Sequence, residues 1–158
     1  MPADITASHL VSSFSDTDAT SYATASITPG KNLIILAWVL NSKLTTPDTP
    51  TLSGNGLTWV QVATMTFGTV AVPLKRLTLF RAMGAAPTAG AVTIDFGGVT
   101  QTGCSWSIVQ FQYCNTSGTN GSGAVLQSAS NTVDAGTTVT ATLGAFGDAK
   151  NASIAGVG

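Results

Sequence analysis

The side chains that could do chemistry in this chain are few and far apart. Its single histidine is His9, its seven acids are all aspartates, and its two cysteines are Cys104 and Cys114. Hydrolysis, general acid–base catalysis and metal chemistry need several such groups to converge. His9 with an Asp and a Ser could in principle make a nucleophilic triad. It lies in a polar stretch, however, and no Gly-x-Ser-x-Gly elbow exists. Asp16-Thr17-Asp18 alternates acids as calcium loops do, yet lacks the glycine and distal glutamate of an EF-hand. Gly118-Thr119-Asn120-Gly121-Ser122-Gly123 has the glycine content of a phosphate cradle. It contains no lysine and leads into a strand pattern, so it reads as a surface loop. The expectation is a protein that is not an enzyme and needs no cofactor or metal.

The aromatic residues leave one binding chemistry open. Trp38 and Trp106 lie in the two most apolar segments and read as core, with their indole N–H groups bonded to some of the many hydroxyls. Trp59, between Thr58 and Gln61, and Tyr113 are candidate platforms for a sugar ring. Cys104 and Cys114 lie ten residues apart on one expected strand, about 33 Å when extended, so they are not expected to bridge. The Asn-x-Ser triplets at Asn115, Asn120 and Asn151 carry little weight without an export signal.

What positions these residues follows from composition. Only 8% of residues are charged, against about 25% in an average domain. Thr, Ser, Gly and Ala fill the surface positions instead. Thr is β-branched and suits a pleated surface, while the polar helix formers are scarce, which points to an all-β fold. A net charge of -1, with only Lys75 and Arg76 adjacent, gives no footprint for a phosphate backbone, so no nucleic acid is expected. The apolar run Leu33 to Leu40 falls well short of the about 20 residues that span a bilayer as a helix, so no membrane is expected either. The first ten residues show no basic n-region and no apolar h-region. Synthesis in a host cytoplasm is the reading that follows.

Strand signals recur at intervals of about ten residues. Residues 1–18 read as a polar arm or first edge strand, and 19–158 as one domain. Ser21 to Ile27, the buried strand Asn32 to Leu40, Leu57 to Thr66, Leu74 to Ala82, Val92 to Phe96 and Ser105 to Tyr113 follow. Ala124 to Ser128 and Thr137 to Leu143 complete the pattern, the latter with Val139, Ala141 and Leu143 turned inward. The segment 41–50, with Pro47 and Pro50, reads as a loop, and Ser53-Gly54-Asn55-Gly56 as a turn. Eight or nine short antiparallel strands predict a β-sandwich or jelly roll. Phe67, Val70, Val72 and Pro73 form an unusually apolar connection between two strands, a candidate interface.

Four blocks carry a resemblance: Pro29-Gly30 through Ile35, Ser53-Gly54-Asn55-Gly56 leading to Trp59, Leu77 through Ala82, and Asn115 through Ser122. Together they resemble a β-sandwich domain of phage structural proteins and some bacterial surface proteins. The resemblance carries over no catalytic residue. It implies a phage virion structural role, with a capsid decoration or cement protein as the leading expectation. Its partners would be the major capsid protein or other virion proteins, and its state a homo-oligomer, a trimer by analogy with threefold lattice positions. It also implies a free edge near Asn151 to Val157. The alternative is a carbohydrate-binding module of a tail or cell surface, using Trp59 and Tyr113.

Overall fold

The computed structural model describes residues 4–68, 74–133, 137–148 and 150–158. Among them lie eight strands and no helix: β1 (Thr6–Ser15), β2 (Ser21–Ala23), β3 (Ile34–Lys43), β4 (Thr51–Ser53), β5 (Val60–Phe67), β6 (Leu74–Ala82), β7 (Thr93–Asp95) and β8 (Gly103–Gln112). They form a five-stranded sheet in the order β1-β8-β3-β6-β5 and a three-stranded sheet in the order β2-β7-β4. Every pairing is antiparallel. The expected all-β sandwich is the observed fold.

The two segments that are apolar on both faces become neighbours at the centre. In β3, Ile35, Ala37 and Val39 face the second sheet, meeting Cys104, Trp106 and Ile108 of β8 and Phe80 of β6. Tyr22, Val92, Ile94 and Phe96 close this layer from the other side. Tyr22 stands edge-on to Phe96, ring centroids 6.0 Å apart, and tilted against Trp106 at 6.4 Å. Ile35, Ile94 and Ile108 are fully buried, each worth about 1.5–3 kcal/mol. The alternate residues Ile34, Leu36 and Trp38 point to the outer face with Leu79, Val109 and Phe111. Val92, Ile94 and Phe96 point inward together, as their spacing predicts.

The second sheet is short because turn residues bound its strands. Pro50 precedes β4, and Gly54, Asn55 and Gly56 after it all take positive φ. The Asn55 amide donates to the carbonyls of Thr88 and Gly90, at 3.0 and 2.9 Å, stapling that turn to the segment before β7. Gly97 and Gly98, at φ 64° and 83°, end β7.

Four expectations are corrected. The run 57–66 does not alternate cleanly, because a bulge at Val62 lies between Gln61 and Ala63 in the β5–β6 register. The first loop residues after Leu40 extend β3 to Lys43, where Ser42 and Lys43 still pair with β6. Residues 124–128 and 137–143 form no strand, and Val139 is exposed. Residues 151–158 form no edge strand but run along the outer face, with Gly156 against Trp38 and Gly158 against Leu40 and Phe67. The reason is shared: a strand exists only where a ladder partner lies beside it, and none of the described strands does so there. The first eighteen residues resolve in favour of the edge strand, since β1 pairs along β8 from Thr6 to Ser15.

Candidate functional site

The candidate catalytic and calcium residues are not brought together. His9 lies exposed on β1 opposite Val109, while Asp16 and Asp18 are exposed beyond its far end. Among the described residues, no group of three or more His, Cys, Asp or Glu converges. The loop at Gly118 is a compact turn in which Ser122 N donates to the Thr119 carbonyl and Gly123 N to that of Ser117. Gly121 takes φ 80°, the left-handed region that favours glycine, and a Cβ there would press on the tip of the Ile34 side chain.

A polar knot that spacing alone did not reveal sits at the end of β3. Asn41, 1% exposed, donates through Nδ2 to Gln101 Oε1 at 2.8 Å and to the Asp48 carbonyl at 3.0 Å. Gln101, also buried, donates to Asp48 Oδ2 at 3.1 Å, and Lys43 Nζ meets the same oxygen at 2.9 Å. These hydrogen bonds, that from Lys43 first and that from Gln101 next, hold the Asp48 carboxyl below the usual carboxylate range. Arg76 adds a bond from Nε to the Pro47 carbonyl at 2.9 Å. The knot ties the loop 44–50 to the sheet. Asn41 Oδ1 alone is buried in it without a partner among the described residues, and the remaining bonds serve to hold the loop, which makes the knot a structural device.

The aromatic candidates separate. Trp106 is buried between the sheets, as expected, but its Nε1 finds no hydroxyl among the described residues because Tyr22 and apolar side chains surround it. Trp38 is on the outer face rather than between the sheets. Trp59 packs half-buried against the inter-sheet core with its Nε1 buried. Tyr113 is 62% exposed. It takes φ 63°, in the left-handed region, which breaks the alternation immediately after β8. Consequently Cys114 joins the outer apolar cluster while Cys104 belongs to the inter-sheet core. The two cysteines do not share a face, and both are free thiols, as expected.

Beside Tyr113 opens a cleft of about 470 Å³, whose lining includes Ile5, Ala124 and Leu126 together with Asn115, Asp148 and Asn151. Of the candidate interface residues, Phe67 is half-buried at the end of β5 against Gly158. Val70, Val72 and Pro73 lie outside the described residues. Other apolar side chains are open to solvent, Phe14 at 74% and Leu126 at 64% among them, with Val139, Phe146 and Ile154. Neither protein-family models, nor curated proteins, nor solved structures give a match to this chain.

Proposed function

We propose that this chain is a structural, contact-making protein of a particle: a phage virion protein of the capsid decoration or cement type, acting as a homo-oligomer against the major capsid protein. The observation that supports this best is its surface. Phe14 stands 74% exposed on an edge strand, and Leu126, Val139 and Phe146 are exposed on the C-terminal segment. Only 8% of residues are charged and the net charge is -1, so little on this surface repels a neighbour of the same kind. Exposed apolar side chains mark protein contacts in soluble proteins where they gather into one patch. Both outer strands of the large sheet, β1 and β5, lack a second ladder partner among the described residues as well. Neither β1 nor β5 contains an Asp, Glu, Lys, Arg or Pro. Edges without charge or proline are ready to pair or pack with another chain.

The test is addition of the purified chain to capsids stripped of accessory proteins. Saturable binding at hundreds of copies per particle, with raised resistance to heat, is the expected result. Phe14→Asp should weaken that binding at least about tenfold, a 1.4 kcal/mol effect, without lowering the melting temperature, because the ring contributes little to the core of one subunit. A chain that is monomeric and ignores capsids overturns the proposal.

A further inference from the structure

We infer that the cleft beside Tyr113 is a binding site for an uncharged saccharide. Strand β8 ends at Gln112, and the next residue adopts a left-handed φ of 63°. That conformation suits Gly or Asn and strains a bulky side chain, and such strain tends to collect at functional sites. Its effect here is specific. It takes the residue out of the sheet's alternation and leaves it, 62% exposed, in the lining of a cleft of about 470 Å³. That volume is within the range of small-molecule sites.

The lining matches one ligand chemistry. A sugar ring presents an apolar C–H face edged by hydroxyls, each both donor and acceptor. Tyr113, with Ile5 and Leu126, supplies aromatic and aliphatic surface, and Asn115, Asp148 and Asn151 supply the polar edge. Asn115 Oδ1 already accepts the Ser117 N–H at 2.8 Å, and Asp148 Oδ1 that of Lys150 at 2.9 Å. The Asn115 amide N–H₂, the second Asp148 oxygen and the whole Asn151 amide make no hydrogen bond among the described residues. Donors and acceptors are therefore mixed, as hydroxyls require. The one carboxylate is balanced by Lys150 in the same lining, so the cleft carries no excess charge to draw a phosphate or a carboxylate ligand. Trp59 has no part in it. The site does not depend on the virion role, since a decoration, tail or surface protein could equally present it.

The experiment is a printed array of neutral oligosaccharides, followed by titration of the retained glycan against variants. Tyr113→Gly is the decisive one: glycine adopts positive φ without a steric penalty, so folding is kept while the ring is lost. The expected result is retention of at least one neutral glycan by the unaltered chain, at least about tenfold weaker binding by Tyr113→Gly, and binding within a few fold by Tyr113→Trp. Asp148→Asn, which keeps the turn and alters the hydroxyl-facing oxygen, should weaken binding without changing which glycan is chosen. No neutral glycan retained, or Tyr113→Gly binding as well as the unaltered chain, overturns the inference.

Discussion

Cys104 shows what one buried group can do to the whole chain's response to pH. Removal from water pushes its thiol up to about 12, because the interior penalises the thiolate. The unfolded chain loses that proton near pH 8.5. The folded state thus holds the proton more tightly, so this contribution to stability is complete below about pH 8.5 and is lost as pH rises towards 12. Thermal melts of Cys104→Ala should show a shallower alkaline decline than those of the unaltered chain, and thiol reagents should label Cys104 only after unfolding. Trp106→Ala, which empties a buried site beside Tyr22, should cost roughly 3–5 kcal/mol in denaturant unfolding. Its burial was legible, because it stands in a run that is apolar on both faces. That of Gln101 was not. A buried amide depends on partners placed by the fold, here Asn41 and Asp48, whose positions relative to it no local spacing encodes.

At the scale of elements, periodicity located the strands well where both neighbours were decided by the same apolar pattern. β6 runs from Leu74 to Ala82 as its alternation predicts, and β3 and β8 pair along nearly their whole length. The pattern misled in 137–143, where Val139, Ala141 and Leu143 alternate with threonines and yet no ladder forms. What holds this segment is two amide side chains. Gly144 N donates to Gln127 Oε1 at 2.7 Å, and Asn131 Nδ2 donates to the Thr140 carbonyl at 2.8 Å. Strand propensity without a partner leaves the backbone N–H groups facing water. In hydrogen exchange, amides of 137–143 should exchange close to the unstructured rate, while those of Ile35 to Val39 and Trp106 to Val109 should be protected to near the global unfolding free energy. Protection of 137–143 in dilute, monomeric protein would contradict the arrangement. Tyr113 escaped the pattern for the opposite reason: alternation assigns it to a face, and a left-handed φ removes it.

For the molecule as a whole, charge and exposed apolar area predict how copies meet. With one ion pair among the described residues, between Lys43 and Asp48, association would rest on apolar contact and backbone pairing rather than on charge. Sedimentation at micromolar concentration should show no dominant 15.9 kDa species. Raising the salt from about 0.05 to 1 M should leave the assembly intact or tighten it, since screening has little to weaken. Dissociation on adding salt would place the contacts elsewhere. The strand order has a further consequence, in time rather than in space. β6 lies beside β3 and β5 beside β6, and both follow β3 in the chain, so β3, β5 and β6 can assemble as soon as they emerge from a ribosome. β1 cannot, because its only partner among the described residues is β8, about 90 residues later. At synthesis rates of ~5–20 residues per second, β1 waits on the order of 5–20 s with its whole backbone unpaired. Its lack of long apolar runs, and the serines at 8, 12, 13 and 15, suit a segment that must remain in solution until the last strand of its sheet has been made.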